Sequence, residues 1–176
     1  MKNYTLFLFI TFTLMSFSLM AGDKDDVKTD LLNKNISYKT FLENAVKIEP
    51  YRKKRRINVE KFITYSKEKN TIVLDTRSLK NFNVIHIKGA RHLSFTEFDV
   101  KSLAKIIPNK NTRILIYCNN NFNTTNIALI SKSAGASLNI PTFIHLYTYG
   151  YKNIYELGSL VSLKNTKLEF EKAKLK

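Results

Sequence analysis

The chain is poor in the residues that build crosslinks and metal centres. Its 176 residues include one cysteine and three histidines. One cysteine cannot close an intramolecular disulfide, and this set cannot supply a zinc site of four cysteines or of two cysteines and two histidines. The length, the hydrophobic share of 44% and the charged share of 24% are typical of one globular domain with a buried core.

Acidic residues are also scarce, with 14 against 29 lysines and arginines, which gives a net charge of +15. Such an excess indicates nucleic acid or an anionic surface as a partner. No nucleic-acid-binding motif accompanies it, so no nucleic-acid partner is expected. The densest cluster is a run of five cations at residues 52–56. It fits a phosphate-rich partner, but a solvated loop leading into a domain is the interpretation that we favour.

The N-terminus predicts export. Lys2 precedes an uncharged apolar run over residues 4–20, and the small Ala21 is followed by the acidic Asp23. This pattern is typical of a secretory signal peptide, which we assign to residues 1–21. An uncleaved membrane anchor is the alternative, because the run is near the lower length limit of a spanning helix. We therefore expect a periplasmic or secreted protein with no stable membrane span after cleavage, and a membrane-anchored protein if the signal is not cleaved.

The remaining chain divides by composition into a polar and basic leader at residues 22–56, one domain at 57–160 and a C-terminal tail at 161–176. Apolar residues at rough helical spacing predict a short helix in the leader, ending before Pro50. A short β-branched run at residues 71–74 predicts a strand that is buried on both faces, and residues 113–117 predict a second strand of the same buried type. Further helices are predicted at residues 79–84, 96–107, 126–132 and 142–149. Alternating short strands and helices indicate an α/β fold, with a parallel sheet covered by helices on both faces.

Cys118 directly follows the second of these strands. Reactive groups in open parallel sheets collect beyond the carboxyl ends of the strands. Thr124 and Thr125 are suitable caps for the helix predicted at residues 126–132, and helix N-terminal amides favour the thiolate form of a nearby cysteine. Position alone fits a small buried structural residue slightly better, because free cysteines are commonly buried.

Four motifs occur in series: LDTR at residues 74–77, HIKGARHL at 86–93, ILIYC at 114–118 and YGYKNIYEL at 149–157. The series resembles that of a single-domain rhodanese, a thiosulfate sulfurtransferase-like protein, over about residues 57–160. The resemblance implies a rhodanese-like open parallel sheet. It also implies that Cys118 accepts sulfane sulfur from a small anionic donor, thiosulfate or a polysulfide, and holds it as a persulfide. The sulfur then passes to a thiol acceptor, and no metal or organic cofactor is required.

The same resemblance implies roles for the residues around Cys118. Backbone N–H groups after the cysteine would form a cradle that stabilises a persulfide anion. The substrate-binding positions are then Asn119, Asn120, Asn121, Phe122, Asn123 and Thr124. Asp75 and Arg77 are expected to tie a strand end to neighbouring loops by charge-assisted hydrogen bonds. His86 is expected to pack and form hydrogen bonds, and Gly89 to permit a turn with positive φ.

The sequence also departs from the rhodanese pattern. Active members often carry a cation five residues after the cysteine, where this chain has Asn123, and residues 119–125 carry no charge. A cysteine phosphatase is excluded, because Thr124 stands where its phosphate-binding arginine is required. Residues 131–141 resemble an insertion that would cover Cys118. The alternative to a sulfurtransferase is therefore a catalytically weak or inactive rhodanese-like module for binding, sulfur carriage or redox sensing.

Overall fold

The structure, a computed structural model, describes residues 33–172. The signal peptide predicted at residues 1–21 lies outside this range. Residues 33–36 form a turn in which the Ile36 amide donates to the Asn33 carbonyl, and a separate compact unit begins at Ser37. Between residues 33 and 172, no helix is long and apolar enough to cross a membrane.

A sheet of five parallel strands forms the centre of this unit. In spatial order its strands are β1 (Arg56–Ile57), β7 (Ile154–Leu157), β5 (Arg113–Tyr117), β2 (Thr71–Asp75) and β4 (Arg91–His92). The two longest strands, β2 and β5, lie side by side, with Thr71 opposite Arg113 and Asp75 opposite Tyr117. Both are buried beyond their first residue, as the apolar β-branched runs predict.

Helices cover both faces of the sheet. They are α1 (Tyr38–Lys53), α2 (Val59–Ser66), α3 (Leu79–Val84), α4 (Val100–Ile106) and α5 (Asn139–Thr148). On one face, α1, α4 and α5 contribute to the core that contains Leu74 and Ile116. On the other face, α2 contributes to the core that contains Val73 and Leu115. Neighbouring strand residues thus alternate between two cores. The predicted α/β fold, an open parallel sheet with helices on both faces, is confirmed.

Helix α1 is longer than predicted and packs on the folded unit. Ser37 caps its first turn, because the Ser37 hydroxyl accepts a hydrogen bond from the Thr40 amide. The helix then continues through Pro50 to Lys53 instead of ending before the proline. Proline costs a helix one backbone hydrogen bond. Burial of Ile48 in the core next to Pro50 offsets this cost, so tertiary packing overrides the local signal.

The basic run at residues 52–56 does not form the solvated loop that its charge predicts. Arg52 is in the last turn of α1, and its Nε lies 2.7 Å from Oε2 of the buried Glu156. Arg56 begins β1, and its Nε lies 3.7 Å from Oε1 of the same carboxylate. The Arg55 guanidinium stacks between two tyrosine rings. The run is folded because a buried carboxylate needs cationic partners.

Of the next three predicted helices, one agrees with the structure and two differ in extent. Helix α3 coincides with the prediction at residues 79–84, whereas α4 begins only after Asp99, which caps it. Phe95–Glu97 forms a separate 3₁₀ turn before that cap. The helix predicted at residues 126–132 is reduced to the 3₁₀ turn Ile127–Leu129. The cap predicted at Ser78 is therefore confirmed, whereas the cap predicted at Thr96 is wrong, because Asp99 caps α4 three residues later. The short turn Ile127–Leu129 is capped by Asn126 and not by Thr124 or Thr125.

Two small strand pairs connect later segments to the domain. They join β3 (His86–Ile87) to β9 (Phe170–Glu171), and β6 (Phe122–Asn123) to β8 (Val161–Ser162). Strands β8 and β9 lie in the segment predicted to be a C-terminal tail, and Val161 and Leu168 are buried there. Two-residue strands carry no periodic pattern, so the sequence gives no signal for this pairing.

We predict that α1 stabilises the domain through Ile48, which is 2% exposed. Ile48→Ala should lower the free energy of unfolding by about 2–5 kcal/mol, because it leaves a cavity in the core. Val46→Ala on the same helix is the matched control, since Val46 is 68% exposed and a surface change alters stability by about 0.5 kcal/mol or less. Urea denaturation measures both. Equally small losses from the two variants would show that α1 does not contribute to the core.

Candidate active site

Cys118 lies directly beyond the carboxyl end of β5, the middle strand of the central sheet. It is 1% exposed. The Sγ atom lies 3.4 Å from the Ser137 hydroxyl oxygen, and the Cys118 amide donates to Asn121 Oδ1 at 2.9 Å. The sulfur is therefore covered by a residue of segment 131–141, while its backbone is fixed by the loop that follows.

The loop after Cys118 begins with a tight turn. Asn119–Asn121 is a 3₁₀ turn, in which the amides at positions 121 and 122 donate to the carbonyls at positions 118 and 119. The chain then continues into β6, which pairs with β8. An amide proton that already has an acceptor is not free for a persulfide. The set of free amides at residues 119–124 is therefore smaller than the sequence predicts.

Asn119 and Asn120 line the space beside the cysteine and hold a neighbouring segment in place. The Asn119 side chain donates to the Ile130 carbonyl at 3.0 Å and accepts from Arg77 Nη1 at 3.3 Å. The Asn120 side chain donates to the Lys132 carbonyl at 2.7 Å and accepts from the Lys132 amide at 3.1 Å. In each asparagine, the side-chain NH2 group thus donates one hydrogen bond while the side-chain oxygen accepts another.

The other four predicted substrate-binding residues do not line this space. Asn121 is buried, and its Nδ2 donates to two carbonyls at and beyond the end of β7. The buried Phe122 ring meets the Tyr117 ring edge to face. Asn123 is exposed, and the Thr124 hydroxyl accepts from a nearby backbone amide. Asn121 and Phe122 therefore anchor the loop to the core.

A small cavity of about 120 Å³ lies beside the sulfur. Its lining residues are Arg77, Ser78, Asn81, Cys118, Asn119, Asn120, Lys132 and Leu138. This volume accommodates several water molecules or a small anion. Ser78, Asn81, Lys132 and Leu138 are additional to the residues that the sequence predicts, as is Ser137. Lys132, Ser137 and Leu138 lie in segment 131–141, and the sequence feature that pointed to them was the resemblance of this segment to an insertion.

A buried ion pair holds the loop beside the cavity. Arg77 Nε donates to Asp75 Oδ1 at 3.0 Å, and Arg77 Nη2 donates to Asp75 Oδ2 at 2.6 Å. Further Arg77 donors reach the Asn119 side chain and the carbonyls of Ala128 and Ile85. Burial alone would lower the pKa of Arg77, but the hydrogen bonds and charge of Asp75 outweigh it and raise that pKa. The guanidinium therefore stays charged.

Tyr117 completes this network from the middle strand. Its hydroxyl donates to Asp75 Oδ2 and accepts a hydrogen bond from the Ile87 amide at 3.0 Å. Burial, followed by the negative charge of Asp75, raises the pKa of Tyr117 well above its ordinary value. The phenol therefore stays protonated and remains a donor to the carboxylate.

His86 and Gly89 do not line the cavity. Both contact β9 instead: His86 pairs with it from β3, and Gly89 forms a hydrogen bond with it. The His86 ring stacks on Phe82 with 3.8 Å between ring centroids, and its Nδ1 is 2.8 Å from the Phe82 carbonyl. Gly89 has φ of 78°, and its amide donates to Glu171. This hydrogen bond lowers the pKa of Glu171. The positive φ explains the glycine, because other residues are strained there.

Residues 58–157 match the family model of the rhodanese-like domain. The chain belongs to this family. The matched range contains Cys118, Asp75, Arg77 and four of the five strands of the central sheet. A comparison with curated proteins found no match.

Three solved structures are similar to this rhodanese-like chain. The BH2092 protein from Bacillus halodurans is 15% identical, with 66% of this chain and 74% of that chain covered and a TM-score of 0.45. A rhodanese with anions from E. coli is 21% identical, with coverages of 58% and 99% and a TM-score of 0.39. The Rhodanese_3-like domain of the Alr3790 protein from Anabaena sp. is 18% identical, with coverages of 60% and 96% and a TM-score of 0.42.

We predict that the buried Asp75 carboxylate of this rhodanese-like domain depends on Arg77 as its partner. Arg77→Met should lower the free energy of unfolding by about 3–5 kcal/mol, because it leaves a buried carboxylate without its partner. Adding Asp75→Asn should recover part of the loss. Arg91→Met is the control, since Arg91 is exposed and makes one backbone hydrogen bond. Urea denaturation that gives equal losses for Arg77→Met and Arg91→Met would contradict the prediction.

Proposed function

We propose that this protein is a rhodanese-type sulfurtransferase that carries sulfane sulfur as a persulfide on Cys118. The observation that carries the proposal is the position of this cysteine, at the carboxyl edge of the middle strand and in the lining of a cavity whose other residues are mostly of polar types. An inert buried cysteine is surrounded by apolar groups. This one has the Ser137 hydroxyl at 3.4 Å and a cavity that fits a small sulfur anion.

In the first half-reaction, the Cys118 thiolate attacks the outer sulfur of thiosulfate. A new S–S bond forms while the S–S bond of the donor breaks, and sulfite leaves with the electron pair. A polysulfide reacts in the same way and leaves shortened by one sulfur. The thiol proton passes to solvent, and no oxidant is needed because the donor already holds sulfane sulfur. A hydrogen bond from Ser137 would stabilise the thiolate.

In the second half-reaction, an acceptor thiolate attacks the terminal sulfur of the persulfide. The bond from that sulfur to Cys118 breaks, Cys118 leaves as a thiolate, and the acceptor becomes a persulfide. The enzyme returns to its starting state after each cycle, which is the pattern of ping-pong kinetics. The 1% exposure of Cys118 favours small acceptors, because a large nucleophile cannot approach without movement of the covering segment.

The mass of the reduced protein after incubation with thiosulfate or polysulfide tests the proposal. We expect the wild type to gain one sulfur atom and to lose it again when a small thiol is added. Cys118→Ser is the matched control and should gain nothing, because the only thiol of the chain is then absent. If neither protein gains sulfur, the persulfide proposal fails.

A rhodanese-like module without turnover is the second candidate. The near-complete burial of Cys118 and the uncharged side chains of residues 119–125 favour it, because both restrict reaction with an anionic donor. Sulfite release with excess donor and thiol separates the candidates. An enzyme releases many equivalents of sulfite per protein, whereas a sulfur carrier stops after one. A binding or redox module releases none.

We further propose that the protein is exported, on the basis of the charge and hydropathy pattern of residues 1–21. Expression of the full chain in a bacterium, followed by cell fractionation and N-terminal sequencing, tests this. The expected result is a mature chain that begins at Gly22 in the periplasm or medium. A chain that retains Met1 in the membrane fraction would indicate an anchor, and one in the cytoplasm would contradict export.

A further inference from the structure

The cavity beside Cys118 contains two cations in very different electrostatic situations. Arg77 is buried and its charge is balanced by Asp75 at 2.6 Å. Lys132 also lines the cavity, but it is exposed and forms no ion pair with any carboxylate within residues 33–172. None of the described lining residues is acidic. Among the residues that line the cavity, Lys132 is therefore the cation whose charge no carboxylate within residues 33–172 balances.

The position of Lys132 is set by the loop that carries the cysteine. Asn120, two residues after Cys118, pairs with both backbone groups of Lys132, accepting from its amide and donating to its carbonyl. A pair of reciprocal hydrogen bonds of this kind resembles one rung of a β-ladder. It fixes the Lys132 backbone relative to the sulfur. The residue as a whole is exposed, so its side chain is not held inside the core.

We propose that Lys132 is the donor-selecting residue of the site. Its ammonium binds the oxyanion end of a sulfur donor in the cavity, while the outer sulfur of that donor meets Cys118 Sγ. An ammonium offers three donors and a compact charge, which suits a small oxyanion. The residue lies outside the cysteine loop, in the segment that resembles an insertion. The inference rests on the proposed function and specifies its preferred substrates: sulfur donors with a sulfonate-like anionic end.

Steady-state kinetics with Lys132→Gln test this inference. The KM for thiosulfate should rise about tenfold, which corresponds to the loss of one charge-assisted hydrogen bond, and kcat should change little. Lys132→Arg should restore most of the affinity, because the positive charge is retained. A small alkyl persulfide passes its outer sulfur to the Cys118 thiolate and leaves as the alkyl thiolate. Its turnover should be affected much less by Lys132→Gln, because this donor has no oxyanion end. Lys105→Gln is the matched control, since Lys105 is exposed and does not line the cavity.

Asn120 acts as a positioning residue in this scheme, and a double-mutant cycle tests it. Asn120→Ala should raise the KM for thiosulfate less than Lys132→Gln does, because the lysine remains but is no longer fixed. The double variant should be no worse than Lys132→Gln alone, since both changes remove the same interaction. Additive losses would show that Asn120 acts independently of Lys132, and would overturn its assigned role.

Direct binding separates this inference from the proposed function. Titration calorimetry of thiosulfate and of sulfate into Cys118→Ser protein measures anion affinity without any chemistry, and the Cys118→Ser/Lys132→Gln protein is the comparison. Weaker binding to the second protein supports the anion site, even if the wild type forms no persulfide and the proposed function fails. The other outcome is that wild type and Lys132→Gln form the persulfide with the same KM for thiosulfate, and that the two Cys118→Ser proteins bind thiosulfate equally well. The proposed function would then stand, and the role of Lys132 would be overturned. Absence of measurable anion binding to either protein, together with an unchanged KM, would also overturn it.

Discussion

Arg77 is buried at the carboxyl edge of the sheet because Asp75 balances its charge and five hydrogen-bond donors find acceptors around it. Removing two ions from water costs several kcal/mol per ion, so such a pair is stable only when its hydrogen bonds are complete. Arginine meets this condition where lysine does not, since its planar fork reaches several acceptors at once. The end of β2, α3 and the cysteine loop are thereby held together, and the position of Cys118 relative to its cavity depends on this contact.

The same pairing determines which cation is available to a ligand. The Arg77 guanidinium lines the cavity, but its charge is neutralised by the Asp75 carboxylate and its other donors are bound to carbonyls. It therefore adds little positive electrostatic potential to the cavity. The net charge of +15 acts on anions as a diffuse field, and at physiological ionic strength salt screens it beyond roughly 8 Å. The role that we propose for Lys132 is contact with a bound anion, and at contact distance screening is weaker. In this proposal Arg77 has the structural role and Lys132 the binding role.

The elements predicted correctly are those whose signal is local and strong. The runs at residues 71–74 and 113–117 are mostly apolar and contain several β-branched residues, and Ser78 caps a helix at the predicted residues. The elements that were missed depend on contacts distant in sequence. Helix α1 passes Pro50 because Ile48 enters the core, and β8 pairs with β6 because Val161 is buried. Neither the length of α1 nor the pairing of β8 can be predicted from a short stretch of sequence, because the residues that each one packs against lie elsewhere in the chain.

The asparagines after Cys118 show the same limit within the site, because each has a different distant partner. An amide side chain both donates and accepts, so Asn120 can satisfy the N–H and the C=O of one residue in another segment, here Lys132. An arginine or lysine can only donate, and it would leave that amide without an acceptor. An asparagine at position 120 therefore suits the docked segment better than a cation would, because it satisfies both backbone groups of Lys132. The position at which active rhodaneses often carry a cation is Asn123, which is exposed and does not line the cavity, so that departure from the family pattern is independent of the contact between Asn120 and Lys132.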